Sequence, residues 1–158
     1  MLQRIQSLFL VIAAVASLLL FFFPLATYYH EIQGNYKLFI YGVMCMDPEP
    51  KVTFSSLFTL PLLLMAATSF ILSAVTLLLY KKRTFQIRLC AFNVLVNIVL
   101  IMVIFFFYAT RISSMTSIEP DYNYAGMLMP LISLVFLVLA TRAIRKDEAL
   151  VKSADRLR

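Results

Sequence analysis

Apolar residues run along this chain in four uninterrupted blocks, at about Ile5–Ala26, Phe54–Tyr80, Phe85–Thr110 and Tyr124–Ile144, divided by short polar or aromatic segments. Each block supplies the ~20 residues that a helix rising 1.5 Å per residue needs to cross hydrocarbon. The blocks are continuous rather than alternating, which predicts spanning helices and argues against an outer-membrane barrel. Between Leu8 and Phe23 stand twelve Leu, Ile, Val or Phe residues and no charge. Such a segment favours insertion by about 4–7 kcal/mol. Its apolar run is longer than a secretory leader requires, and Phe21-Phe22-Phe23-Pro24 poorly leads into a small-residue cleavage site, so the segment is expected to be retained. Pro24, Pro61 and Pro130 fall near span ends or in early turns, where a missing N–H is tolerated. The predicted fold is an all-α membrane protein: a four-transmembrane-helix bundle over 1–144, followed by a basic helical tail over 145–158.

Composition agrees. Of 158 residues, 62% are apolar and 14% charged, against roughly 45–50% and about 25% in soluble domains. A water-soluble fold of this size has too little interior for that much apolar surface. The net charge of +6 is unevenly placed. Arg4, Lys81, Lys82, Arg83, Arg88 and the six basic residues of the tail lie on one side; Lys37, Lys51 and Arg111 lie on the other. Lys and Arg accumulate in cytoplasmic segments, so both termini and the 81–88 hinge are expected in the cytoplasm. This placement accounts for the basic balance without nucleic acid.

The segment from Thr27 to Thr53 is the largest outside the bilayer. Tyr28-Tyr29-His30-Glu31-Ile32 and Tyr36-Lys37-Leu38-Phe39-Ile40-Tyr41 flank a Gly34-Asn35 turn signal, which predicts a small extracytoplasmic β-hairpin. A lone hairpin is marginal in water and should rest on the helix ends or on a partner. Tyr36, Phe39 and Tyr41 could form a docking surface; the plainer reading is an interfacial aromatic belt. The second outer loop, Arg111–Asn123, is polar and offers no motif. His30 is the sole histidine, and metal-ligand spacings are absent. Cys45 and Cys90 fall near opposite ends of the bundle and are expected to be unrelated free thiols.

Within the spans, Asn93 and Asn97 are one turn apart and share a face. An unpaired amide is costly in hydrocarbon, so both should point at neighbouring helices as packing contacts. Ala66, Ser69, Ser73 and Thr76 form a small-residue stripe on the second span, as do Ala13 and Ser17 on the first; such stripes let backbones approach. Asp, Glu, Lys and His are missing from mid-depth, where proton-coupled transporters place them. The chain also lacks paired cysteines, nucleophile–base sets and phosphate-binding glycine loops. No catalysis and no cofactor is expected.

Thr141–Arg158 contains no Gly or Pro, so the last span can continue as helix into the cytoplasm. Ala143, Ile144, Leu150, Val151, Ala154 and Leu157 cluster on one arc, with Arg142, Arg145, Lys146, Lys152 and Arg156 roughly opposite. This amphipathic basic helix could lie on anionic headgroups, dock on a partner protein, or simply hold the tail inside. Asp147 falls within the apolar arc, which tells against deep burial in lipid.

The opening Gln3-Arg4-Ile5-Gln6-Ser7, and the close Arg142-Ala143-Ile144-Arg145-Lys146-Asp147-Glu148 with Ser153-Ala154-Asp155-Arg156-Leu157-Arg158, resemble a family of small bacterial inner-membrane proteins catalogued as domain of unknown function 4293. The resemblance covers essentially the whole chain and implies four spans in a Gram-negative inner membrane; it brings no catalytic or binding residues. The expected function is that of a non-enzymatic accessory or scaffold subunit, contacting membrane lipids and other inner-membrane subunits through helix faces, outer loop and tail. The alternative is a small homo-oligomeric transporter or channel built around the Asn93/Asn97 face.

Overall fold

In a computed structural model the described residues are 2–29, 34–47, 52–55, 57–80 and 82–156, with the side chains of 2–4, 152 and 154–156 outside the description. His30 and Lys81, and the side chains of Arg4, Lys152 and Arg156, therefore lie outside the described residues.

Each apolar block contains a helix, and the helix ends follow local chemistry. Helix α1 spans Leu2–Leu19. It stops short of the expected Ala26 because Pro24 cannot donate to the helix and biases the residue before it toward extended backbone. Helix α2 spans Leu60–Leu78 and opens on Pro61 in its first turn, six residues later than the pattern suggested. Helix α3, Arg83–Met102, runs through π-helical turns at Val103–Ala109 into α4, Thr110–Thr116. This rod passes the expected end at Thr110 and stops where Ser117 takes a left-handed backbone (φ 54°). The stretch read as a motif-free outer loop thus contributes a further helical turn and a half. Helix α5 runs from Tyr124 to Arg156 without interruption, as the Gly- and Pro-free tail predicted. Asn123 caps it, its Oδ1 accepting from Ala125 N at 3.0 Å.

Among the described residues, three helices are long and apolar enough to cross a membrane, Leu60–Leu78, Arg83–Thr116 and Tyr124–Val151; the apolar part of α1 is shorter, Ile5–Leu19. Only 28–39% of the residues in those three spans are buried within the protein. Phe22, Leu64, Ile71, Phe92, Leu95, Phe106 and Val135 point outward. Lipid is the solvent that accommodates such a surface, and the chain is a membrane protein.

The rods pack as a closed ring in the order α1, α2, α3, α5, with α5 returning to α1. The small-residue stripes face inward as predicted: Ala13, Ser17, Ala66, Ser69, Ser73 and Thr76 are all buried. Two apolar clusters fill the interior. One, near the hinge, gathers Leu10, Cys90, Leu137, Ala140 and Ile144. The other, under the sheet, gathers Leu20, Leu38, Leu62, Leu100, Ile104 and Tyr108.

The predicted hairpin is present, with strand β1 (Ala26–Tyr28) antiparallel to β2 (Tyr36–Phe39) and Tyr28 opposite Tyr36. It is the centre of a larger element. After a tight turn β2 pairs with β3 (Gly42–Cys45), and β1 pairs on its other side with β4 (Asp121–Tyr122), giving the order β3-β2-β1-β4. Gly34 takes a left-handed backbone (φ 96°) that favours glycine. The neighbouring Asn35 N–H donates to Asp47 Oδ2 at 2.5 Å. Four strands, rather than two, let the sheet seat Tyr28, Tyr36, Leu38 and Ile40 on the helix ends with almost no exposure.

Candidate functional site

Between the two apolar clusters lies a layer of polar side chains contributed by all four rods. Ser17 comes from α1, Ser69 and Ser73 from α2, Asn93 and Asn97 from α3, and Ser133 from α5; every one is 0% exposed. The Asn93 amide donates to Ser69 O at 3.1 Å and to Ser73 Oγ at 2.8 Å. The Asn97 amide donates to Ser69 Oγ at 2.7 Å, and within its own helix to Asn93 O at 3.0 Å and Asn93 Oδ1 at 3.2 Å. Ser17 Oγ lies 3.3 Å from Ser69 Oγ and 3.0 Å from Ser133 Oγ, and it reaches its own Ala13 carbonyl at 3.0 Å. One chain of polar contacts therefore crosses the bundle from α3 through α2 and α1 to α5.

The orientation of each amide is forced by its neighbours. Asn93 faces the Ser69 carbonyl, and Asn97 faces the Asn93 carbonyl, so in both the nitrogen must take that side. With this assignment Asn93 uses both amide protons and its oxygen. Asn97 does not: its Oδ1 is buried without a hydrogen-bond partner. The layer has no ionisable member. Chemically it can hold helices in register and exchange hydroxyl protons.

The structure thus brings together the predicted Asn93, Asn97, Ser69 and Ser73, and adds Ser133, which was missed. A serine nine residues into the last apolar block was the available signal. Thr76 sits apart, one helical level toward the hinge, where its carbonyl accepts from Gln86 Nε2 at 3.1 Å. A second set of contacts crosses the bundle at that end. Gln6 Nε2 donates to Ala143 O at 3.1 Å, Arg83 pairs with Asp147 at 3.3 Å, and Thr84 donates to Glu148 Oε1 at 3.2 Å. Asp147 shares the arc of Ile144 because that arc turns toward α3 and finds Arg83 there. The tail is therefore docked as far as Glu148, while Leu150 and Val151 beyond it are exposed. Arg142, Arg145 and Lys146 are exposed as well.

The aromatic trio of the sheet segment is divided. Tyr36 is buried in the sheet core, edge-on to Phe54 at 5.9 Å, and its hydroxyl accepts from Val52 N at 3.2 Å. Phe39 and Tyr41 stack on each other outside it, ring centres 5.3 Å apart. Cys45 and Cys90 are both free thiols.

A family model described as Domain of unknown function (DUF4293) matches residues 2–157. No curated protein and no solved structure matches the chain.

Proposed function

The chain belongs to the family of that domain of unknown function, DUF4293, and from this premise we propose that it is a non-enzymatic accessory or scaffold subunit of a bacterial inner-membrane complex. In this reading α1 is the fourth span. Its apolar part, Ile5–Leu19, reaches about 22 Å, and the hydrogen-bonded turns at Leu20–Phe22 carry the crossing further toward the ~30 Å of a hydrocarbon core. Both termini and the 81–88 hinge sit in the cytoplasm, on the strength of eleven of the fourteen Lys and Arg residues falling on that side. The tail continues from the bundle as an amphipathic cytoplasmic helix.

The observation that carries the reading is where the polar groups of the spans go. Asn93, Asn97 and the four serines bond to one another across helix boundaries at zero exposure, with Asn97 Oδ1 alone among their side-chain atoms left without a partner. Polar side chains that serve a substrate path line a cavity or face one another across water; these are closed in by two apolar clusters. Such a bundle is a stiff support. Its distinctive surfaces are the Phe39–Tyr41 stack and the Leu150–Val151 end of the tail, which suit contacts to other membrane subunits, while the spans meet lipid.

Purification of the full chain in mild detergent tests this. A co-purifying subunit at fixed stoichiometry is expected, lost on Leu150→Glu/Val151→Glu while the bundle stays folded. Recovery of the unaltered chain as an unpartnered monomer would overturn the scaffold reading. Under the transporter alternative, Asn93→Leu/Asn97→Leu would abolish flux in proteoliposomes, whereas assembly of a scaffold suffers mildly.

A further inference from the structure

Between α3 and α5, on the half of the bundle that carries the basic hinge, a groove of ≈ 240 Å³ opens to the outside. Ala91, Val94 and Val138 form its apolar floor, and Thr141, Arg142 and Arg145 its rim. Thr141 is turned inward and donates to Leu137 O at 2.8 Å, which leaves the two guanidinium groups as the polar edge. Among the described residues the ion pair present is Arg83–Asp147; neither Arg142 nor Arg145 has a carboxylate partner there.

Depth follows from helix geometry. Ser69 stands midway along α2, nine residues from Leu60 and nine from Leu78, and Ser133 joins the same polar layer. Arg142 is nine residues beyond Ser133, which at 1.5 Å per residue is roughly 13–14 Å, the edge of a ~30 Å hydrocarbon core. Arg145 lies about one turn further, at headgroup level. Two forked cations at the headgroup boundary above an apolar cleft match a molecule with a phosphodiester and an acyl chain. Arginine meets phosphate oxygens bidentately, and basic pockets between spanning helices favour anionic headgroups.

We infer that the α3–α5 groove is a binding site for one anionic phospholipid, its phosphate held by Arg142 and Arg145 and the start of an acyl chain laid over Ala91, Val94 and Val138. The site is independent of the scaffold reading and of which side of the membrane the hinge faces.

Native mass spectrometry of the full chain, released from detergent with added phosphatidylglycerol, phosphatidylcholine or inorganic phosphate, tests it. One phosphatidylglycerol should be retained in preference to phosphatidylcholine, and excess phosphate should not displace it. Arg142→Gln/Arg145→Gln should weaken retention on the order of 30-fold, about fivefold for each cation removed. Ala91→Phe, which fills the floor and leaves the charge alone, should weaken it too. Lys146→Gln, an exposed cation off the groove, should change it less than about twofold. Equal losses in Lys146→Gln and the double arginine variant would reduce the attraction to a diffuse basic surface and overturn the site. Displacement by phosphate would make it a site for free anions instead. Loss of a dimer in Ala91→Phe, with lipid retention unchanged, would assign the groove to a second copy of the chain.

Discussion

The two buried asparagines differ in a way that replacement by leucine exposes. Leucine has the same branching and the same number of side-chain heavy atoms as asparagine, so the substitution removes hydrogen bonds without opening a cavity. In Asn93→Leu two interhelical bonds go, to Ser69 O at 3.1 Å and Ser73 Oγ at 2.8 Å, and Asn97 loses an acceptor at 3.2 Å. Interhelical bonds in membranes average ~0.6 kcal/mol and reach about 1.7. The loss is therefore about 1–3 kcal/mol. In Asn97→Leu one interhelical bond goes, to Ser69 Oγ at 2.7 Å, and so does an oxygen buried without a partner, while Asn93 Oδ1 loses the donor it had at 3.2 Å. The penalty of about 1–3 kcal/mol relieved by removing one unsatisfied acceptor is offset by the one created, which leaves the single lost bond, a cost of about 0.6 kcal/mol. Unfolding of the purified variants in mixed micelles by graded SDS, followed by circular dichroism, measures both. Asn93→Leu should unfold at distinctly lower SDS than the parent and Asn97→Leu close to it. Equal losses, or a larger loss in Asn97→Leu, would refute the assignment of partners in the node.

Three further substitutions test other parts of the fold. A Cβ at Gly126 would run into the Pro24 carbonyl and stand 3.1 Å from Leu25 Cα, whereas one at Gly42 meets nothing within 4 Å; Gly126→Ala should cost about 1–3 kcal/mol or more in the same SDS assay, and Gly42→Ala should stay within about 0.5 kcal/mol. Burial, with Tyr122 nearby, holds the Tyr28 phenol well above its ordinary value, and its hydroxyl has no hydrogen-bond partner among the described residues. Stability linked to it is complete below the free phenol's value of about 10 and is lost as pH rises past that; Tyr28→Phe should be neutral or stabilising at neutral pH and should blunt the alkaline loss seen in thermal melts. The Arg83–Asp147 pair is partly exposed, 29% and 13% at the side chains, so a double-mutant cycle with Arg83→Gln and Asp147→Asn should give a coupling of about 1 kcal/mol or less that shrinks with salt.

What the sequence made legible was whatever a single helix face could decide. Asn93 and Asn97 had to pair because hydrocarbon offers an amide nothing else, and the small-residue faces of α1 and α2 had to be the close ones. Both hold. The strand β4 was out of reach: two residues, Asp121 and Tyr122, pair with β1 only because α4 and α5 deliver them beside Ala26 and Thr27. The same is true of β3, whose residues carry no alternation of their own. Gly126 was open to a closer reading, since a glycine opening an apolar helix signals a close backbone approach. Tyr36 could not be told from Phe39 and Tyr41 by composition; the register that sets Tyr36 opposite both Tyr28 and Cys45 is what draws it inside.

That the bundle keeps a polar layer at all follows from its solvent. Between helices in lipid there is no hydrophobic gain to be had, since acyl chains are as apolar as leucine, and packing alone would tolerate one helix sliding a turn along another. A slide of one turn would carry Ser69 away from Asn97 and Ser17 away from Ser133, orphaning buried donors and acceptors on every rod together. The apolar clusters on either side would lose far less, because leucine against leucine is nearly indifferent to register. The node therefore contributes position more than affinity. Fixing α3 and α5 along their axes is also what sets the sheet-side and hinge-side features at their depths. It holds β4 level with β1 at one end and Asp147 level with Arg83 at the other, and both presented surfaces, the Phe39–Tyr41 stack and the projecting end of the tail, inherit their placement from it.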